Sequence, residues 1–360
     1  MTMGIIGCGK VFHHYAKGAG LYGDLKLVAC ADVDLSRAQA AARQFGVPAA
    51  CDVDELLARD DIELVLNLTT PQAHVAVDMA ILEAGKHVYS EKPLAVTVAE
   101  AEPVLALAGK KGLRVGCAPD TFLGSAHQMC RILIDGGSIG VPTSGVAFLA
   151  GPGHEHWHPA PQFYYQRGGG PLLDMAPYYL HALVNLIGPV AAVVGHSGRA
   201  RATRTLVLPP AAGQEIAVEG DTHYSASLRF ACGAIVTLIM SFDVWRHSLP
   251  FIELYGTEGS LSVPDPTWFG GEVRLSTRGG NWQVAEHRHP AGTRGAGAAD
   301  LVAALRTGRP HRCSEALAGH VLEVMEAIVH SGETHREVTI VSACERPAAV
   351  PAKLPALVFD

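Results

Sequence analysis

Within the first 120 residues, short apolar and β-branched runs alternate with stretches of helical composition. The runs are "GII" (4–6), "LKLVACAD" (25–32), "IELVLNL" (62–68), "KHVY" (86–89) and "LRVGCA" (113–118). They are continuously apolar rather than alternating, so both faces of each strand must be covered. A parallel sheet with helical crossovers on both sides does this, because parallel neighbours cannot be joined by a tight hairpin. The helical stretches carry matching punctuation. "SRAQAAARQFG" (36–46) is closed by Gly46, "PQAHVAVDMAILEAG" (71–85) is opened by Thr70-Pro71 and closed by Gly85, and Asp52 with Glu55 makes a capping box for a third. A doubly wound α/β domain is therefore expected over residues 1–120.

Beyond it the texture changes. A Gly/Pro/His-rich segment (151–171) and a helical run (172–187) precede alternating stretches such as "HYSASLRFACGAIVTLIMSF" (223–242) and "IELYGTEGSLSV" (252–263). Alternation with glycine-bearing turns predicts an α+β second domain over 121–360, built on a large, open, mainly antiparallel sheet with one face covered. The uncovered face, read as apolar, is a candidate contact between copies, so a homodimer or homotetramer is expected. The net charge of −7 offers no field for nucleic acid, and no apolar stretch reaches the roughly 18 residues of a membrane span. The eight cysteines are scattered without a C-x-x-C pair, and the opening "MTMGIIG" lacks a basic leader region. A cytoplasmic, reducing location is expected.

The turn after the first strand reads "GIIGCGKVF". Gly7-x-Gly9, with Cys8, Lys10 and Val11 completing the turn, lets the backbone bring a pyrophosphate onto a helix N-terminus. Phe12 stands where the dinucleotide fingerprint usually has Gly or Ala. Asp32, at the end of the second strand, is placed to accept hydrogen bonds from an adenosine ribose diol. Strand, turn, helix, strand and acid in that order predict a Rossmann domain binding a dinucleotide. A carboxylate at this point repels a 2′-phosphate, which favours NAD(H) and leaves NADP(H) possible. Arg37, one turn later, is the residue that could hold such a phosphate.

Taken together, "GIIGCG", "ADVD", "NLTTPQAH", "HVYSEKPLA" and "GGGPLLDMAPYYLHALVNLIGPV" resemble the Gfo/Idh/MocA oxidoreductases over nearly all of the first 190 residues. The Glu91-Lys92-Pro93 element is the most specific part of the likeness. The resemblance implies that Lys92 sits beside the nicotinamide and hydrogen-bonds the reacting oxygen, and that Thr69, Thr70 and Pro71 pass under the nicotinamide half, with His74 one turn into the next helix. It also implies that the remaining chain supplies the substrate wall and the contacts between copies.

At the second catalytic stretch the chain departs from the commoner family pattern of Asp-x-Gly-x-His. The run is Gly168-Gly169-Gly170-Pro-Leu-Leu-Asp174-Met-Ala176-Pro-Tyr178, so Tyr178 occupies the histidine position. If helical throughout, Asp174, Tyr178 and His181 share a face at i, i+4 and i+7. Pro177 leaves open a helix that starts only there, with Asp174 in the preceding loop. Tyr178 with Lys92 as its neighbouring cation is expected to exchange the proton, Asp174 to orient them, and His181 to be the fallback base. His154, His156 and His158 alternate in "GPGHEHWHPAPQFYYQRGGG" (151–170), but the flanking Pro and Gly argue a loop, and no acid or thiol completes a metal set. His156, Trp157, His158 and Tyr164 are instead expected to offer rings and polar tips to a carbohydrate or polyol. The resemblance implies an NAD(H)-dependent enzyme interconverting a secondary hydroxyl and a ketone on a sugar, cyclitol or sugar derivative. The alternatives are an NAD-dependent glycoside hydrolase working through transient oxidation, and a non-catalytic dinucleotide-binding sensor.

Overall fold

The structure, a computed structural model, describes residues 1–166, 168–287, 292–351 and 357–360. The chain divides into two compact units. The first comprises Met1–Gln128, Arg288–Leu322 and Pro347–Asp360, the second Met129–His287 and Glu323–Arg346.

In the first unit β1 (Thr2–Ile6), β2 (Lys26–Ala31), β3 (Ala49–Cys51), β4 (Leu64–Asn67), β5 (His87–Ser90) and β6 (Val115–Cys117) form one sheet in the order β3-β2-β1-β4-β5-β6. Every neighbouring pair is parallel. The helices between them are α1 (Phe12–Ala19), α2 (Leu35–Phe45), α3 (Val53–Leu57), α4 (His74–Glu83) and α5 (Val98–Lys111). Met3, Ile5, Leu64, Leu66, Val88 and Tyr89 are wholly buried, as strands covered on both faces require. Burial of each such aliphatic side chain stabilises the fold by about 1.5–3 kcal/mol.

The local signals act where expected. Gly46 ends α2 in the left-handed conformation, and both halves of the Asp52–Glu55 capping box form. Strand β3, "AAC", carries no apolar run and escapes the period. Helix α4 starts at His74, three residues after Pro71, because Thr70–Ala73 forms a turn of its own. Helix α8 (Ala296–Thr307) also belongs to the first unit, and buried Asp120 accepts the Gly295 and Gly297 N–H groups at its start, at 2.9 and 3.1 Å.

The second unit holds β7 (Pro142–Ala150), α7 (Gly170–Ile187), β8 (Val190–Gly198), the small pair β9 (Thr203–Thr205) and β10 (Glu215–Ala217), β11 (His223–Phe230), β12 (Ile235–Ser241), β13 (Ile252–Gly256), β14 (Gly259–Val263), β15 (Val273–Thr277), β16 (Gln283–Ala285) and β17 (Val338–Thr339). Helices α6 (Ser125–Asp135) and α9 (Glu315–Thr334) each run from one unit into the other. The nine-stranded sheet runs β16-β15-β14-β13-β7-β12-β11-β8-β17 and is antiparallel except for β7 beside β12. Helix α7 covers one face at β7, β11 and β12, where Ala226, Leu228, Val236 and Leu238 are buried. The other face differs from the expectation. Ser227, Arg229 and Thr237 alternate outward with Val194 and Ile235, so it is mixed rather than apolar. Among the described residues no helix is long and apolar enough to cross a membrane, and all eight cysteines are free thiols.

Candidate active site

A first group of candidate residues lies at the carboxyl ends of β1 and β4, where the strand order reverses and open α/β sheets bind ligands. Gly7 has φ +100°, and a Cβ there would stand 2.7 Å from the Leu68 backbone, so only glycine passes. A Cβ at Gly9 would meet no protein atom within 4 Å. Gly9 is exposed, and its missing side chain leaves open room at the N-terminal end of α1, as close approach of a pyrophosphate demands. Cys8 donates its N–H to Asp32 at 2.8 Å, and Asp34 donates to the other carboxylate oxygen at 3.0 Å, which ties the acid at the end of β2 to the glycine turn. These residues fit a dinucleotide. Phe12 packs edge-on against Phe45 at 5.7 Å, so the fingerprint's third small residue is replaced by a contact between α1 and α2. Lys10 and Val11 are exposed on the same turn. Arg37 is 3.5 Å from Asp34, and both side chains are largely in solvent.

Around Lys92 the chain is held by a buried polar network. Glu91 accepts from the Tyr15 hydroxyl at 2.7 Å and from the Lys92 N–H at 2.9 Å, which anchors the Glu-Lys-Pro turn to α1. The Lys92–Pro93 peptide is cis, and Lys92 itself is half-buried. His74 is fully buried, with Nδ1 2.7 Å from the Pro93 carbonyl and Nε2 3.2 Å from that of Thr69. Burial lowers its pKa, and the ring stands between the two loops that carry Thr69 and Lys92, with a carbonyl of each against one of its nitrogens. It stands beside the Thr69 and Pro93 carbonyls, while the Thr70 and Pro71 carbonyls accept at the start of the turn into α4.

Asn67, which sequence reasoning passed over, organises this group. Its amide donates to Asp78 at 2.7 Å and to the His74 carbonyl at 3.0 Å, and its oxygen accepts from the Thr69 hydroxyl at 2.6 Å. Burial pushes the Asp78 carboxyl up to about 7, against the opposing pull of the Asn67 hydrogen bond. A carboxyl that titrates higher when folded than when unfolded stabilises the fold fully below its unfolded value of ~3.9 and loses that contribution as pH rises through the folded value. Stability should therefore fall between about pH 4 and about pH 7, by up to roughly 4 kcal/mol for the full shift. Asp78→Asn should flatten that fall, as urea midpoints across the range would show. Identical slopes in the two proteins would contradict the assignment.

A second group of candidate residues lies in the second unit. Helix α7 is continuous from Gly170 through Pro177, so Asp174 is helical, and the alternative start at Pro177 is not adopted. A Cβ at Gly169 would stand 2.4 Å from the Phe163 carbonyl, and this is why a glycine run precedes the helix. Tyr178 and His181 lie at i+4 and i+7 from Asp174 and are buried, and His181 Nδ1 is 2.8 Å from the Pro177 carbonyl of its own helix.

Among the described residues, the histidine-rich loop contains two 3₁₀ turns, His154–His156 and Gln162–Tyr165, and no strand. His154 Nε2 lies 3.2 Å from Asp174 Oδ2, and its ring packs against Tyr164 at 4.0 Å, Phe242 at 4.4 Å and Trp157 at 4.9 Å. His158 stacks edge-on against Trp157 and Tyr164. His156 turns away, toward Glu155 and the exposed ring of Trp245. The expected substrate residues Trp157, His158 and Tyr164 are thus gathered around Asp174 through His154, and His156 is not. Among the described residues no group of three or more side chains suited to a metal converges.

Buried Arg204 anchors the loop. It donates to Glu155 at 2.9 Å, to the Pro152 carbonyl at 3.0 Å and to the Phe242 carbonyl at 3.1 Å, pairs with Asp243, and lies over the Tyr165 ring. Nothing in "RATRTL" announces this role, since a lone arginine between threonines reads as an exposed strand residue.

Residues 1–118 match the profile of an oxidoreductase family with an NAD-binding Rossmann fold, and residues 127–262 match the C-terminal domain of GFO/IDH/MocA proteins. The chain belongs to the Gfo/Idh/MocA oxidoreductase family. Among curated family relatives, it is 27% identical over 265 residues to 1,5-anhydro-D-fructose reductase of Ensifer adhaerens, covering 72% of this chain and 74% of that one. It is 33% identical over 146 residues to inositol 2-dehydrogenase of Salmonella typhimurium, covering 39% of this chain and 44% of that one. In fold it is similar to levoglucosan dehydrogenase in complex with NADH and L-sorbose, with TM-score 0.81 and 22% identity over 95% of this chain and 99% of that one. It is thus an NAD-binding oxidoreductase of the dehydrogenase and reductase type.

Proposed function

We propose that the protein interconverts a secondary hydroxyl and a ketone on a sugar, cyclitol or sugar derivative, with NAD(H) as the redox partner. The observation that carries this is the glycine turn with Asp32 and the Glu-Lys-Pro element of the first unit, and the second unit by itself carries an Asp/His/aromatic cluster. Its support comes from relatives that reduce an anhydro sugar and oxidise an inositol. Gly7, Cys8, Gly9, Lys10 and Val11 would hold the pyrophosphate, Asp32 the ribose diol, and Thr69, Thr70, Pro71 and the Glu91–Pro93 turn the nicotinamide half. The bound nicotinamide would supply the hydride-transfer chemistry. Lys92 and Tyr178 would hold the reacting oxygen and move its proton, Asp174 would orient them, and His181 is the second candidate for the base. Trp157, His158 and Tyr164 would present ring faces and polar tips to the polyol, with His156 further out. Absorbance of NADH in a screen of myo-inositol, levoglucosan, 1,5-anhydro-D-fructose and related sugars tests the reading. Activity on none of them, with no NADH binding, would reject it.

Asp32 should set the preference for NAD(H) over NADP(H), since its carboxylate would accept from a free diol and repel a 2′-phosphate. Asp32→Ala should weaken NAD binding and narrow its lead over NADP in calorimetry. Tighter NADP(H) binding by the unaltered protein would remove Asp32 as the discriminator. We also propose a homodimer or homotetramer through the outward sheet face, where Val194 and Ile235 are exposed, and residence in the cytoplasm, where the free thiols stay reduced. Light scattering at micromolar concentration should return a mass above that of one chain, and a monomer would contradict the assembly.

A further inference from the structure

We propose that His154 receives the proton from Tyr178 and passes it to solvent, with Asp174 holding the imidazole in the tautomer that this requires. The proposal rests on the reading above, in which Tyr178 attends the reacting oxygen. A phenol titrates near ~10 in water and is a poor base at neutral pH unless its own proton can leave as it accepts another. The second unit contains a group suited to that task.

His154 Nε2 faces the Asp174 carboxylate at 3.2 Å, and a carboxylate accepts, so Nε2 carries the hydrogen and Nδ1 the lone pair. The same carboxylate would stabilise the imidazolium formed when Nδ1 takes a proton, the division of labour seen wherever a buried acid orients a catalytic histidine. Position is supplied by packing. The ring is enclosed by Tyr164, Trp157 and Phe242, and the His154 N–H donates to the Tyr165 hydroxyl at 2.9 Å. Tyr165 pairs with Glu155, which buried Arg204 fixes. The dyad still reaches solvent, its side chains being 12% and 19% exposed. His181 differs: its Nδ1 is turned onto its own helix, and the residue is only 2% exposed. Asp174 and Tyr178 are one turn apart on α7, so the acid that holds His154 also neighbours the phenol.

Among the described residues, Asp174 from α7 and Tyr164 and Tyr165 from its own loop face His154, with Glu155 accepting from Tyr165. Arg204 and Asp243 stand behind Glu155 and Phe242. In the oxidising direction the substrate O–H bond breaks and its proton joins the Tyr178 oxygen. The proton already on that oxygen passes to His154 Nδ1, directly or across one water. The O–H electron pair becomes the carbonyl π bond, and the C–H pair would leave as the hydride that a bound nicotinamide would accept. His154 then releases its proton to solvent, and reduction runs the same steps backwards.

The test compares the full-length protein with His154→Ala, His154→Gln and Asp174→Asn, using whichever of myo-inositol, levoglucosan and 1,5-anhydro-D-fructose turns over fastest. His154→Ala should lose about 10²-fold in kcat with KM and NADH affinity near those of the unaltered protein. Added imidazole should restore part of that loss in the Ala variant and none in the Gln variant. Nitrogen NMR of the histidine side chains, with His154 identified by its absence from the Gln variant, should show the Nε2–H tautomer in the unaltered protein and lose that preference in Asp174→Asn. Near-normal kcat in His154→Ala, a loss confined to KM without imidazole rescue, or an Nδ1–H tautomer would each overturn the proposal. Failure of the functional reading itself would appear in the unaltered protein, as absence of NADH binding and of turnover, and the tautomer would then still decide the case for His154.

Discussion

Replacing Lys92 by alanine is expected to leave a folded protein that binds NADH and turns over at least about 10²- to 10⁴-fold more slowly, with the loss in kcat rather than KM. Lys92 sits in a turn fixed by Glu91, whose carboxylate accepts from both the Tyr15 hydroxyl and the Lys92 N–H, and by His74, which faces the Pro93 carbonyl. None of these bonds uses the ammonium, so Lys92→Ala leaves the scaffold in place and removes only the charge and its hydrogen bonds. A cation at the reacting oxygen stabilises negative charge that grows toward the transition state, which is why turnover rather than binding should respond. Steady-state rates beside NADH titrations would show it, and a Lys92→Ala enzyme with unchanged kcat would remove Lys92 from the chemistry.

Tyr178→Phe should lower kcat by about 10²- to 10⁴-fold while folding and NADH affinity survive, because the substitution keeps the ring and deletes one oxygen. His181→Ala is the companion variant. With its Nδ1 on the Pro177 carbonyl, His181 serves its own helix, so its loss should reduce stability more than turnover. Near-normal turnover in Tyr178→Phe beside an inactive His181→Ala would move the proton-transfer role one helical turn along α7.

The parallel sheet was legible because its strands are apolar on both faces and its turns carry glycine, and Gly7 shows the reason in a single atom: a Cβ would collide with Leu68. Strand β3 was not legible, since three small residues at a sheet edge carry no period. The Glu-Lys-Pro element and the glycine run before α7 could be read as motifs, but their supports could not. Arg204 and the His154–Asp174 contact join residues far apart in the chain, Arg204 lying 49 residues from Glu155 and His154 20 from Asp174, and Asn67 reaches across a turn to Asp78, 11 residues on. Period and spacing report local geometry, whereas a buried polar partner is chosen by tertiary packing. The alternating strands likewise showed which residues face inward, yet not that serine, threonine and arginine would share the outward face with Val194 and Ile235.

The most direct test of the central claim follows the carbon-bound hydrogen. The protein would be incubated with NAD⁺ and a ring-carbon-deuterated polyol that it accepts, and the nicotinamide and sugar products analysed by mass spectrometry. One deuterium on the reduced nicotinamide for each ketone formed is the result expected of an NAD(H)-dependent polyol oxidoreductase. Deuterium lost to water with NAD⁺ unconsumed and a glycosidic bond cleaved would instead show transient oxidation in a hydrolase, and bound NAD⁺ with no product of either kind would show a sensor.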